Sequence, residues 1–267
     1  MSTSGLRTIL VTGANKGIGR AICSKILSEG PSDVSVLLCS RDLSRGKASA
    51  EGMDPSRVTV LELDVSSDSS VATAASTVKN MNCDLIGIVN NAGIGFGHTI
   101  EETLDVNFWG TKRVCDNFIP LLSENGRVCN IASASGPNFV AKLSPVDQGF
   151  WVGDTSWEEL ETRIKEVTPQ TDYDNTAYGL SKACVNLYTQ QLALKHPNII
   201  INACTPGWIN TDLTAGMGAT NPPEKGTMAP MKLLFGEVGR GWYYGSDGLR
   251  SPLDKYRNPG DPEYMGD

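Results

Sequence analysis

Tyr178 and Lys182 stand four residues apart in "AYGLSKACVN", a stretch whose composition suits a helix. That spacing is close to one helical turn, so both side chains share a face. An ammonium beside a phenol favours the phenolate and is expected to lower the tyrosine pKa from its usual value of about 10. Such a tyrosine can give a proton to a developing alkoxide or take one from an alcohol. Tyr-x-x-x-Lys by itself is a common accident of helical sequence, so other groups must converge on it. Ser133 ends the apolar run "RVCNIAS", at the strand edge where open α/β sheets bind ligands. Its hydroxyl can hold a substrate carbonyl oxygen, and Ser135 can substitute for it. Asn107 in "DVNFWGT" falls early in a helix interior, where asparagine is a poor helix former; a capping or exposed side chain is the simpler explanation. His98 and His196 are the only histidines, so Ser133 has no evident base for hydrolysis and no metal centre is expected.

A second set of residues points to a nucleotide. "TGANKGIG" (12–19) follows the apolar run "TILV" and precedes "RAICSKILSEG", which spells strand, glycine turn, helix. The spacing of Gly13, Gly17 and Gly19 is G-x-x-x-G-x-G, not the G-x-G-x-x-G of the usual dinucleotide fingerprint. In this position glycines let the backbone approach a pyrophosphate, and the helix N-terminus supplies N–H donors and positive dipole. A structural turn explains a lone glycine triplet almost as well. At the end of the second strand a carboxylate would bind the ribose hydroxyls of NAD and repel a 2′-phosphate. Here the chain reads "CSRD": Ser40, then Arg41, with Asp42 one place too far along. With Lys16 in the glycine turn, two cations favour NADP(H) over NAD.

The elements that must position these groups follow from periodicity. Near-continuous apolar runs at 7–11, 34–39, 58–63, 85–90, 127–132 and 199–204 suit parallel strands buried on both faces. Helical patterns lie between them at 18–29, 66–80, 100–122 and 176–195. The expected fold is α/β: a single Rossmann-type domain over 1–267, with a doubly wound parallel sheet and helices on both faces. Two parts break the rhythm. Residues 136–172 form an insert in which Ser156 and Glu159 spell a capping box, and Trp157, Leu160, Ile164 and Val167 share a helical face. The tail 241–267, rich in Gly, Pro and Asp, reads as loop. The insert and the segment 213–235 are expected to flank the substrate. Phe139, Trp151 and Trp157 then either wall the cleft or pack the insert onto the core.

The chain carries 23 basic and 30 acidic residues, a net charge of −7, with no cationic runs. That argues against nucleic acid and anionic membrane as partners. No signal peptide or spanning segment is evident, and seven scattered cysteines without a C-x-x-C pair suit reduced thiols in a cytoplasmic protein.

Taken together, "TGANKGIG", "NNAG" (90–93), Asn107, Ser133, "YGLSK" and "PGWINT" (206–211) resemble the short-chain dehydrogenase/reductases over about residues 6–215. Within that family "SRD", "NNAGIGF", the long insert and "NACTPGW" are most similar to the monomeric NADPH-dependent carbonyl reductases. The resemblance implies Tyr178 as general acid and Ser133 polarising the carbonyl. It implies Lys182 on the nicotinamide ribose, and Asn107 anchoring a water that links Lys182 to solvent. It places Gly13, Asn15, Lys16, Gly17, Ile18 and Gly19 along the pyrophosphate and adenosine, and Arg41 on the 2′-phosphate. Asp64 and Val65 would meet the adenine, Asn91 the adenosine-side ribose, and Ile209 and Thr211, in the loop with Pro206 and Gly207, the nicotinamide amide. Ser135 and Trp208 would face substrate, with Ala132 standing where many relatives have a serine. The implied activity is hydride transfer to a ketone, aldehyde or quinone by a monomer whose insert covers the helix surface that relatives use to associate. Two alternatives stay open: an NADP-binding sensor or scaffold without turnover, and a secondary alcohol or steroid dehydrogenase working oxidatively.

Overall fold

Apolar β-branched runs form the strands of one eight-stranded sheet because both of their faces can be covered. The computed structural model describes residues 6–168 and 175–266. The chain begins with β1 (Arg7–Val11), α1 (Gly17–Glu29), β2 (Val34–Ser40), α2 (Leu43–Ala50), β3 (Val58–Glu62), α3 (Asp68–Met81) and β4 (Asp84–Asn90). Next come α4 (Ile100–Leu104), a π-helical turn (Asp105–Trp109), α5 (Gly110–Phe118) and β5 (Leu122–Ile131). The insert folds as α6 (Ser135–Val140), α7 (Pro145–Val152) and α8 (Trp157–Val167). After it come α9 (Asn175–Lys195), β6 (Ile200–Cys204), α10 (Met228–Phe235), β7 (Tyr243–Tyr244) and β8 (Arg250–Ser251).

Strand order is β3-β2-β1-β4-β5-β6-β7-β8, parallel throughout except for β8. The order reverses between β1 and β4, and open sheets bind ligands at such a switch point. One apolar cluster packs α3, α5 and α9 on one face, and another packs α1 and α10 on the opposite face. Among the described residues no helix is long and apolar enough to cross a membrane. All seven cysteines are free, and Cys39, Cys129 and Cys204 are fully buried in strands as their sequence context implies.

The structure departs from the sequence pattern in three places. The helix expected over 100–122 is broken: a π-turn occupies 105–109, a 3-10 turn containing Pro120 ends the helix, and β5 begins at Leu122. α2 escaped notice because its eight residues include Gly46 and show little apolar periodicity. Asp42 starts it, its carboxylate accepting from the Arg45 N–H at 3.0 Å. The tail is not simply loop, since it supplies β7 and β8, and β7 extends the parallel sheet from β6. Of the two places open to the aromatic residues of the insert, they take the second, packing onto the core and leaving the cleft wall to others. Trp157 packs on Phe108, Trp109 and Tyr188 at 6.0–6.3 Å between ring centroids, and Trp151 lies against Phe139 and Phe150. The capping box of Ser156 and Glu159 forms, and Leu160 and Ile164 are buried as predicted. The end of the insert, 169–172, lies outside the described residues.

Candidate active site

The glycine turn is shaped by conformations that side chains disfavour. Gly13 and Gly17 have φ of 62° and 54°, in the left-handed region. A Cβ at Gly13 would stand 2.8 Å from the Ala92 Cα, and one at Gly19 would stand 2.5 Å from Asn91 Nδ2 and 2.6 Å from the Gly13 carbonyl. Asn91 explains part of this crowding. Its Nδ2 donates to the carbonyls of Thr12 (2.9 Å) and Gly13 (3.2 Å), so its amide holds the turn rather than reaching freely for a ribose. Thr12 returns the tie, its hydroxyl accepting from the N–H groups of Asn91 and Ala92 at 3.0 Å. Sequence reasoning passed over Thr12; its place just before the first glycine was the available signal.

Beyond the turn, Lys16 caps α1 with extended backbone and no side-chain cap. The first N–H groups of α1 are therefore left for a ligand. At the end of β2, Arg41 is exposed and Arg45 stands one helical turn further on. The Asp42 carboxylate between them is committed to the α2 N-terminus and lies 3.6 Å from Arg45. Lys16 is not the free cation that the sequence suggests. It pairs with Asp212 across the cleft, and its ammonium holds the Asp212 carboxyl below the ordinary range. The crowded turn, uncapped helix and arginine pair fit a phosphorylated dinucleotide. Among the described residues no group of three or more His, Cys, Asp or Glu is placed to hold a metal ion.

One cleft of about 880 Å³ joins this end to the candidate chemistry. It is lined by Gly13, Asn15, Lys16, Gly17, Ile18 and Gly19, by Arg41, Asp64, Val65 and Asn91, and by Ser133, Ser135, Tyr178 and Lys182. Pro206, Gly207, Trp208, Ile209 and Thr211 complete that set. Asp64 turns its carboxylate onto the N–H and hydroxyl of Ser66, at 3.0 and 2.7 Å. The loop 206–211 is pinned by Asn221, whose carbonyl accepts from Asn210 N–H (2.8 Å) and whose side chain donates to the Trp208 carbonyl (3.1 Å).

Tyr178 and Lys182 lie on α9, buried to 8% and 5% residual exposure. The Lys182 ammonium sits 5.6 Å from the Tyr178 ring centroid and donates to the Ile131 carbonyl at 2.9 Å. Burial sets the direction at Tyr178. It pushes the Tyr178 phenol up to about 12, against a hydrogen bond to Ser133 that pulls it down, so the expected lowering by Lys182 is reversed. Burial also brings Lys182 down to about 8, the Cys204 thiol acting weakly the other way. At neutral pH the phenol keeps its proton. The Ser133 hydroxyl accepts from the Ser135 N–H at 3.1 Å, which ties it to the start of α6.

Asn107 alone among the predicted residues does not line the cleft. It is 1% exposed within the π-turn, behind Gly93. Its Nδ2 donates to the Ile94 carbonyl (3.0 Å) and the Ser181 hydroxyl (3.1 Å), and its Oδ1 accepts from Ile94 N–H (2.8 Å). A Cβ at Gly93 would stand 3.1 Å from Asn107 Oδ1 and 3.7 Å from Lys182 Nζ, so both side chains abut one glycine. Single-turn π-bulges recur where a helix must offer a side chain it would otherwise bury in its own ladder.

Apolar walls come from residues the sequence did not single out. Phe96 lies 4.9 Å from the Tyr178 ring, and Leu213 and Tyr256 join Trp208 along the cleft. Of the segment 213–235 the cleft takes Leu213, Thr214 and Pro223, while α10 packs beneath the sheet. The tail contributes Ser246, Tyr256, Arg257 and Pro259.

Comparison with known proteins agrees with this geometry. A model of the short chain dehydrogenase family matches residues 7–145. Carbonyl reductase (NADPH) 1 of Macaca fascicularis is 34% identical over 262 residues, covering 87% of this chain and 92% of its own. The (+)-neomenthol dehydrogenase of Arabidopsis thaliana is 33% identical over 279 residues, covering 86% and 91%. Among solved structures, salutaridine reductase from Papaver somniferum superposes with a TM-score of 0.77 at 26% identity, over 89% of this chain and 99% of that one. On sequence and on architecture the chain belongs to the short-chain dehydrogenase family.

Proposed function

We propose that the protein is an NADPH-dependent carbonyl reductase, with Tyr178 as general acid. The observation that carries this reading is a protonated, buried Tyr178 beside Ser133 and Lys182, in one cleft with an arginine-bearing dinucleotide end. When bound, the reduced nicotinamide supplies the hydride. The α1 N-terminus and the glycine turn hold the pyrophosphate, and Arg41 with Arg45 takes the 2′-phosphate. Lys16 has to leave Asp212 to contribute.

Ser133 donates its hydroxyl to the substrate oxygen and stabilises negative charge as it develops there. Tyr178 gives that oxygen its proton. Holding its proton at neutral pH, the phenol can donate to the alkoxide as it forms. Lys182 orients the cofactor ribose and sets positive charge behind the phenol. Asn107 braces this pair from behind through Ser181, the residue next to Lys182. Carrying proton or water traffic past Gly93 is its proposed further role. Trp208, Phe96 and Leu213 exclude water from the reacting carbon. Ser135 holds Ser133 in place through its backbone N–H and offers a second hydroxyl to the substrate.

The names of the relatives support the same substrate chemistry, the carbonyl reductases for NADPH and the neomenthol dehydrogenase for a cyclic secondary alcohol and ketone pair. α6, α7 and α8 pack along α9, the surface on which many such folds associate, and this supports a monomer. Light scattering that gave twice the mass of 28.6 kDa would overturn that point. The test of function is oxidation of NADPH, against NADH, with benzaldehydes, ketones and quinones. Turnover should require NADPH and fall by roughly a thousandfold in Tyr178→Phe. Equal rates in that variant would refute the assignment, and NADPH binding without any turnover would favour a sensor.

A further inference from the structure

The chain after β7 folds into a clasp. Gly245 N–H donates to the Leu249 carbonyl (2.8 Å) and Gly248 N–H to that of Gly245 (2.9 Å), closing the turn into β8. Arg257 folds back beneath this turn and is 8% exposed. Its Nε donates to the Ser251 hydroxyl (3.0 Å), its Nη1 to the carbonyls of Asn258 (3.2 Å) and Asp261 (2.8 Å), and its Nη2 pairs with Asp247. Every guanidinium nitrogen is engaged. A buried and fully satisfied arginine fixes its segment far better than an exposed ion pair does.

What Arg257 fixes is Tyr256. This side chain is 44% exposed although its neighbour in the chain is buried, and it faces two cavities at once. One is the catalytic cleft. The other is a cavity of about 390 Å³ under the tail, which Lys255, Tyr264 and Met265 also line. Tyr256 and Arg257 are the residues the two spaces share. The clasp meets the cleft beside Trp208. A Cβ at Gly207 would stand 3.0 Å from Ser246 of the clasp, so the clasp rests on the loop that carries Trp208.

We propose that Tyr256 is a specificity-determining residue whose ring, held by the Arg257 clasp, closes the carbonyl site and limits the length of substituent the substrate carries. This rests on the reductase reading above. Removing the ring joins the cleft to the neighbouring cavity and makes room for an extended apolar chain.

The experiment compares kcat/KM for benzaldehyde and for para-hexyloxybenzaldehyde, which share a reacting carbonyl and differ in length. Wild type, Tyr256→Ala, Tyr256→Phe and Tyr256→Trp are measured, with NADPH affinity determined by fluorescence. In Tyr256→Ala the ratio of long to short substrate should rise about tenfold, the scale of a changed apolar pocket contact. In Tyr256→Phe the ratio should stay at the wild-type value, and in Tyr256→Trp it should fall. NADPH affinity should hold within about twofold in all three, since the clasp sits at the far end from the glycine turn. A wild-type ratio in both the alanine and tryptophan variants overturns the inference while the reductase reading stands. Absence of carbonyl turnover by wild type overturns both.

Discussion

Lys182→Met tests the electrostatics of the site most sharply, because it should abolish turnover and stabilise the fold. Burial lowers the lysine from 10.5 to about 8. The fold therefore disfavours the charged form by roughly 3 kcal/mol, at 1.36 kcal/mol per unit. Methionine fills most of the stem's volume without a charge. The loss is the bond from the charged ammonium to the Ile131 carbonyl, at 2.9 Å, which contributes about 2 kcal/mol. The net expectation at pH 7 is a gain of about 1 kcal/mol, or a Tm about 2–4 °C higher for a chain of this length. The sign with pH follows from the lowered pKa. Below about pH 8 both folded and unfolded wild type carry the charge, and the penalty is present in full. Between about 8 and 10.5 the unfolded chain binds the proton and the folded chain does not, so wild-type stability rises with pH relative to the variant. The variant's advantage should thus be largest at neutral pH and fade towards pH 10.5. Differential scanning fluorimetry across this range measures it, and groups distant from Lys182 cancel in the difference. A variant less stable than wild type at pH 7, or an advantage independent of pH, would refute the picture of a desolvated ammonium.

Other outcomes follow from single contacts. Gly19→Ala puts a methyl 2.5 Å from Asn91 Nδ2 and 2.6 Å from the Gly13 carbonyl, and should destabilise the fold by about 2–4 kcal/mol in denaturant titration while weakening NADPH binding. Arg41→Asp should move the ratio of NADPH to NADH efficiency towards NADH by at least about tenfold, as expected when a charge-assisted phosphate contact becomes repulsive; an unchanged ratio would remove Arg41 from the 2′-phosphate. Ser156→Ala should lower stability by about 1 kcal/mol through loss of the α8 cap, with carbonyl kcat/KM unchanged, because α8 packs on α9 away from the cleft.

Some failures of the sequence reading have one physical origin. Asn107 looked like a poor helix former, and the reason it is tolerated, a π-turn that aims it at Ile94 and Ser181, depends on contacts more than ten residues away. Tyr178 was expected to acidify because only its neighbour on the helix was visible. Its burial comes from Phe96, Ser133 and the sheet around it, and that burial sets the sign. The tail offered Gly, Pro and Asp and no periodicity, since two-residue strands leave none. Its order comes from Arg257, which gathers partners from Asp247 to Asp261.

α2, the π-turn, β7 and β8 carry too little periodicity to be read. The sequence alone determined the succession of the six long buried strands and of α1, α3 and α9 between them, because continuous apolar runs and helical periodicity are local signals. The same holds for the glycine turn, where positive φ and close backbone approach admit glycine in few other ways. The tertiary structure alone decided which charges remain free, as with Lys16 on Asp212 and Asp42 on α2. It alone decided which aromatic residues meet the cleft, sending Trp151 and Trp157 into the packing of the insert and bringing Phe96 and Tyr256 to the cleft wall. Charge pairing, desolvation and cavity shape are sums over residues distant in the chain, and they exist only once the sheet has brought those residues together.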